Sequence, residues 1–88
     1  MVTKEVKFIN KTGLHARPAS EFAMQAKKFE SKITICKEGG EPVNAKSVVR
    51  LLAEGIGKGT KAELAADGPD EIEAINTLSD MIASGFGE

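Results

Sequence analysis

The sequence has 88 residues, enough for one domain with a single hydrophobic core, so we predict one domain over residues 1–88. Hydrophobic residues make up 41% and charged residues 28%, a balance typical of globular proteins, and no apolar run is long enough to span a membrane. The net charge of −1 divides into +5 over residues 1–50 and −6 over residues 51–88. The basic half suits an anionic ligand or an acidic partner, but the count alone favours a solvated surface with uneven charge.

The chain is predicted to begin with a strand and a helix. Val2, Val6 and Phe8 alternate with polar residues and indicate a half-buried strand, with Lys4 as the exception on the apolar side. From about residue 16, apolar residues recur every three or four positions and predict an amphipathic helix. These residues are Ala19, Phe22, Ala23, Ala26 and Phe29.

Two more strands and a short helix follow. KITICK at 32–37 is β-branched and alternating, which predicts a strand. A Gly-Gly turn at 39–40 then leads to a short edge strand around 42–44. Ser47 is a favoured N-cap for the helix that begins with VVRLLAE, and Gly55 is expected to end that helix.

The last part of the chain predicts a strand over 60–66 and a final helix. The helix start is assigned to 68–71, with Pro69 in the first turn and acidic residues beside the positive end of the helix dipole. The expected buried stripe of this helix consists of Ile72, Ile75, Leu78, Ile82 and Phe86.

The element order β-α-β-β-α-β-α predicts an α+β fold. We expect an open-faced two-layer β-sandwich, in which three helices cover one face of a four-stranded antiparallel sheet. A ferredoxin-like arrangement with an added C-terminal helix is the alternative topology.

The only histidine, His15, lies in the stretch TGLHARPAS at 12–20. Pro18 lacks an N–H group and is tolerated in a first helical turn, which places the helix start near Ala16 and His15 at or next to the N-cap. The backbone N–H groups of Ala16 and Arg17, the helix dipole and the Arg17 guanidinium would all favour a bound phosphate. Since neutral imidazole is a nucleophile that forms a labile N–P bond, these parts are consistent with a phosphoryl carrier.

Plainer interpretations of His15 stay open on the residues alone. The spacing by itself favours a polar residue that caps the helix. No metal or cofactor is expected, because the chain has no second histidine and its single cysteine, Cys36, has no partner in the sequence. A hydrolase lacks an evident general base near His15. An RNA-binding domain lacks an evident stacking platform, since the four phenylalanines are the only aromatic residues.

Ser47 stands at the second predicted helix start. Serine is favoured there as a cap, and capping is the simpler interpretation. A phosphate on Ser47 would also gain from the helix dipole, with Lys46 and Arg50 nearby in sequence. Regulatory phosphorylation of Ser47 is therefore the alternative.

Four motifs follow one another along nearly the whole chain. They are GLHARPA at 13–19, NAKS at 44–47, EGIGKG at 54–59 and AADGPDE at 65–71. Together they resemble the HPr family, the histidine-containing phosphocarriers of the bacterial phosphoenolpyruvate:sugar phosphotransferase system. The resemblance implies the family fold, an open-faced β-sandwich of four strands and three helices.

The resemblance also implies roles for individual residues. His15 matches the histidine that Enzyme I phosphorylates on Nδ1 with phosphate from phosphoenolpyruvate, and Arg17 matches the arginine that attends the phosphate. The phosphate then passes to the IIA unit of a sugar transporter. Ser47 matches the serine that HPr kinase/phosphorylase modifies, a form that hinders Enzyme I and acts as corepressor for a catabolite-control transcription factor. The implied protein is a carrier that depends on partner enzymes and is not itself an enzyme.

The helix after Ser47 is a docking surface in the family. The resemblance therefore implies partner contacts from Val48, Arg50, Leu51 and Leu52. Arg50 and Glu54 depart from the residues that many serine-regulated members carry, which bears on the kinase and corepressor roles.

Other properties are expected from the same reasoning. A monomer with no direct nucleic-acid or membrane partner is expected. The N-terminal MVTKEVKF lacks the apolar core of a secretory signal, so we expect the cytoplasm. A carrier in a nitrogen-related or dihydroxyacetone-kinase branch is the alternative function, and a regulator acting only through Ser47 is disfavoured by the presence of His15.

Overall fold

A computed structural model describes residues 1–87 of the chain. Four strands and three helices are followed by a single 3-10 turn over Gly85–Gly87. The elements are β1 (Val2–Lys7), α1 (Ala16–Ala26), β2 (Lys32–Lys37), β3 (Val43–Asn44), α2 (Val48–Ala53), β4 (Lys61–Asp67) and α3 (Glu71–Ala83). None of the helices within residues 1–87 combines the length and the apolar character that crossing a bilayer requires.

The four strands form one antiparallel sheet in the order β1-β4-β2-β3. The long strand β4 is central, and its Leu64 lies opposite Lys4 of β1 on one side and Ile35 of β2 on the other. The predicted fold is confirmed. The ferredoxin-like alternative is wrong, because that arrangement inserts the third strand between the first two, whereas here β4 occupies that place and β3 lies at an edge.

The hydrophobic core lies between one face of the sheet and the helices. Alternate residues of the two inner strands point into it, and each of them is at most 4% exposed: Ile33, Ile35, Ala62, Leu64 and Ala66. Phe8, which follows β1, and Phe22 of α1 are fully buried on the same side. The residues between them on the strands are exposed, as Glu63 is, or partly exposed, as Thr34 and Ala65 are, so the other face of the sheet is open.

Lys4 shares the inward side of β1 with Val2 and Val6, the exception noted in the sequence. Its ammonium donates to Ser79 Oγ of α3 at 3.4 Å, and Ser79 in turn donates to the Asn76 carbonyl at 3.2 Å. The aliphatic part of the lysine side chain therefore lies at the edge of the hydrophobic core, while its ammonium group is hydrogen-bonded to a polar side chain.

Helix α3 begins later than predicted and buries a different stripe. It runs from Glu71 to Ala83 with Asp70 as N-cap, so Pro69 lies before the helix rather than in its first turn. The prediction that Ile72 is buried is wrong, since it is 61% exposed, while Ala74 is fully buried. Ile72 falls at the margin of the apolar face, whose other predicted members are buried: Ile75, Leu78 and Ile82. Phe86 is partly buried against the core.

Asp70 connects the start of α3 to the loop before β2. Its side chain does not cap its own helix. The carboxylate accepts hydrogen bonds from the Glu30 N–H at 2.9 Å, the Ser31 N–H at 3.0 Å and the Ser31 hydroxyl. The Ser31 hydroxyl is the leading cause that holds the pKa of Asp70 below its ordinary value. Gly68 permits this approach, because a Cβ there would lie 2.6 Å from Ser31 Cα.

Candidate functional site

The loop before α1 is held in one position by its backbone. The Leu14 N–H donates to the Ile56 carbonyl at 2.9 Å, and Asn10 Nδ2 donates to the Gly13 carbonyl at 2.7 Å. Gly13 has φ of +59°, and a Cβ there would lie 2.5 Å from the Ile56 carbonyl oxygen. Only glycine fits this position, so the GLHARPA motif and the EGIGKG motif meet backbone to backbone.

His15 is the N-cap of α1, as the sequence predicts. Its backbone is extended, with φ −77° and ψ −174°, and its carbonyl accepts the Ala19 N–H at 2.9 Å. Its side chain makes no capping hydrogen bond and the residue is exposed, whereas Leu14 before it is only 2% exposed. The interpretation of the imidazole as a helix cap is therefore wrong, and the exposed residue is accessible to another molecule.

The first turn of α1 leaves two backbone donors beside His15. A helix start has N–H groups without intrahelical partners, and the first bond of this helix is donated by Ala19. Since Pro18 has no N–H group, the donors of this turn without a hydrogen-bond partner among residues 1–87 are those of Ala16 and Arg17, both exposed. The first turn carries no acidic residue that would oppose an anion.

Arg17 extends along α1 rather than toward its start. Its side chain is 90% exposed, and Nε donates to Glu21 Oε1 one turn further on, at 3.3 Å. Within residues 1–87 this carboxylate, and not His15, is the partner of the guanidinium. The sequence places Arg17 beside His15, but Glu21 was not identified as part of the site, although the i, i+4 spacing of opposite charges could have revealed it.

Phe86 lines a cleft together with Arg17. It has φ of +55°, which is uncommon for a residue other than glycine, and its ring stacks on Phe8 with centroids 6.4 Å apart. The ring also makes an edge-to-face contact with Phe22 of α1, with the two ring centroids 6.3 Å apart. A small cleft is lined by Arg17, Pro18, Glu21, Phe86 and Gly87. The segment after α3 therefore borders the site, which sequence reasoning missed because this contact is distant along the chain.

Ser47 is the N-cap of α2, as predicted, and its side chain does act as a cap. Oγ accepts the Arg50 N–H at 3.3 Å. The turn before it is fixed by the Lys46 N–H, which donates to Asn44 Oδ1 at 2.9 Å. The serine is partly exposed, so its hydroxyl lies near solvent while it serves the helix.

The residues predicted for docking on α2 divide between its two sides. Leu51 is fully buried, so its predicted contact with a partner is wrong, because its side chain belongs to the core. Leu52 is 42% exposed and Arg50 is exposed, whereas Val48 is partly buried against the core. Val49, which the prediction omitted, is 76% exposed and adds apolar surface beside Leu52.

Helix α2 connects the two candidate sites. Ser47 begins it, and the segment that follows it contains Ile56, which is 3% exposed and receives the Leu14 hydrogen bond described above. Helices α1 and α2 also pack against each other. A partner that binds the exposed side of α2 would therefore lie next to the helix that presents His15.

Comparisons with known proteins find similarity along nearly the whole chain. The family model "PTS HPr component phosphorylation site" matches residues 2–84. The phosphocarrier protein HPr of Neisseria meningitidis serogroup A is 41% identical over 88 residues, covering 100% of this chain and 98% of that protein. The crystal structure of HPr-C-His from Thermoanaerobacter tengcongensis superposes with a TM-score of 0.95 at 45% identity, covering 100% and 98% of the two chains. An HPr dimer structure from the same organism gives a TM-score of 0.78 at 47% identity, covering 94% of each chain.

Proposed function

The chain belongs to the HPr family of phosphocarrier proteins, and from this premise we propose that His15 is the residue that carries the phosphoryl group. It would accept the group from phospho-Enzyme I and donate it to the IIA components of sugar transporters. One observation supports this most directly: the His15 side chain stands at a helix start, exposed and not used as a cap.

The proposed transfer uses the lone pair of a neutral imidazole nitrogen, Nδ1 by the family resemblance. As this nitrogen bonds to phosphorus, the bond between phosphorus and the donor atom of Enzyme I breaks, and the donor atom keeps that electron pair. The Ala16 and Arg17 N–H groups and the positive end of the α1 dipole would stabilise the resulting dianion. Passing the group to a IIA component reverses these steps with a new acceptor.

The Arg17 side chain is proposed to stabilise the phosphoryl group directly. A guanidinium is a planar, permanently charged fork that matches phosphate oxygens. Its present partner, Glu21, is 44% exposed, and exposed ion pairs contribute little free energy, so the pair can open when a stronger anion forms nearby.

Partner docking is proposed for the exposed side of α2. Leu52, which is 42% exposed, and Arg50 would contact Enzyme I and the IIA components, with Val48 at the margin. This keeps three of the four residues that the family resemblance indicates and removes Leu51, which is buried.

Ser47 is proposed as a regulatory phosphorylation site for an HPr kinase/phosphorylase, with a catabolite-control transcription factor as a further partner. Its partial exposure and its place at a helix start support this, since a phosphate there gains from the dipole. We further propose that the protein acts as a monomer in the cytoplasm.

The proposed function is tested by mixing the chain with phosphoenolpyruvate, magnesium and Enzyme I and measuring its intact mass. One acid-labile phosphoryl group is expected on the wild type and none on His15→Ala. Ser47→Ala is the matched control and should still accept the group. A wild type that stays unmodified, or His15→Ala that is still modified, would overturn the proposal.

A further inference from the structure

We propose that Glu21 is a positioning residue that holds Arg17 away from His15 in the unphosphorylated protein and so destabilises the phosphorylated form. This inference rests on the proposed function of His15. It assigns to Glu21 control over how readily the phosphoryl group is passed on.

The geometry of α1 supports this role. Arg17 is the second residue of the helix, so its backbone N–H lies at the open end that would receive a phosphate. Its side chain extends the other way, because Nε donates to Glu21 Oε1 at 3.3 Å, one turn toward the C-terminal end. A phosphoryl group on His15 and the Glu21 carboxylate would therefore compete for one guanidinium.

The surroundings favour competition over sharing. Phe86, Pro18 and Gly87 line the cleft with this ion pair, and Phe86 is fixed by its ring contacts with Phe8 and Phe22. Because Glu21 lies toward the C-terminal end of α1 and His15 precedes its first residue, the guanidinium would turn away from the carboxylate to reach a phosphate on His15. Once it has done so, Glu21 remains as an unpaired negative charge six residues along α1 from the N-cap that bears the dianion. Like charges repel at this separation when the ionic strength is low.

Both effects raise the free energy of phospho-His15 relative to the free protein. A carrier must release its phosphoryl group as well as accept it, so a carboxylate at this position would favour donation to the next protein. The size of the effect is bounded by the weakness of exposed ion pairs, which corresponds to about two- to fivefold in an equilibrium constant.

The test is the equilibrium between the two forms at a fixed ratio of phosphoenolpyruvate to pyruvate with catalytic Enzyme I, read by intact mass at low ionic strength. Glu21→Gln should raise the ratio of phosphorylated to free protein by about two- to fivefold, and Glu21→Asp should stay closer to wild type. Added salt should reduce the difference. Glu63→Gln, which removes the same charge from the open face of the sheet, is the matched control and should behave as wild type.

A double-mutant cycle separates the role through Arg17 from a simple charge effect. In an Arg17→Ala background, Glu21→Gln should change the ratio much less than it does in the wild type. Wild-type behaviour of Glu21→Gln, or an equal change with and without Arg17, would overturn the inference while leaving the carrier function of His15 intact. A wild type that accepts no phosphoryl group at all would overturn both.

Discussion

The starts of α1 and α2 show how one local structure can serve two purposes. Both helices begin after an extended residue, His15 in one case and Ser47 in the other. Ser47 turns its hydroxyl back to accept the Arg50 N–H, whereas His15 makes no capping bond. In the part of the chain that the structure describes, the Ala16 and Arg17 N–H groups are therefore left open. A helix start that is not closed by its own side chain keeps its donors for an incoming anion.

The largest expected effect is a loss of folding stability when Gly13, in the loop before α1, is replaced. Gly13→Ala should lower the free energy of unfolding by about 3 kcal/mol, because it adds left-handed strain and a Cβ 2.5 Å from the Ile56 carbonyl oxygen. Urea unfolding measures this. Gly55→Ala is the matched control, since it has φ of +63° but nothing within 4 Å of its added Cβ, and it should cost only about 1–2 kcal/mol. Equal losses in the two variants would contradict the claim that the close approach of Gly13 to the Ile56 carbonyl holds the His15 loop in place.

The second prediction compares the two N-cap side chains directly. Ser47→Ala should lower the free energy of unfolding by about 1 kcal/mol, because it removes the acceptor for the Arg50 N–H. His15→Ala should change it by less than about 0.5 kcal/mol, since the imidazole makes no capping bond. If both variants lose the same stability in urea titrations, the contrast between the two helix starts is wrong.

The smallest effect concerns the third helix start and depends on pH. The pKa of Asp70 lies below its ordinary value of 3.8, chiefly because the Ser31 hydroxyl donates to it, so its contribution is present above that value and is lost as pH falls through the lower folded pKa. Asp70→Asn should therefore be less stable than wild type at pH 7, and the difference should shrink on acidification below pH 3.8. Thermal unfolding across this range measures it. The exposed Asp80→Asn is the control, and a gap for Asp70→Asn that widens in acid would contradict the account.

Features set by neighbours in sequence were the ones that could be predicted. Pro18 fixes the start of α1 at Ala16, and strand alternation correctly separates the inward Leu64 from the outward Glu63. The motifs also identified the family. Such features depend on local backbone preferences and on the period of the apolar residues, which a single sequence displays.

Features that depend on distant contacts could not be predicted. Asp70 was expected to serve its own helix, but it bonds Ser31, 39 positions away. Ile72 was expected in the core and Leu51 on a docking surface. The packing of the helices instead leaves Ile72 exposed and buries Leu51. The hydrogen bond between Leu14 and Ile56 likewise joins two loops whose sequences give no sign of pairing.

The central claim is that the open donors at the start of α1 receive a phosphoryl group carried by His15. The most direct measurement is a pair of ¹H–¹⁵N correlation spectra, before and after phosphorylation with Enzyme I and phosphoenolpyruvate. The Ala16 and Arg17 amide protons should move downfield by more than any others as they bond to the phosphate, while the Arg50 amide, already bonded to Ser47, stays in place. Unchanged Ala16 and Arg17 amides in a protein phosphorylated on His15 would contradict the account.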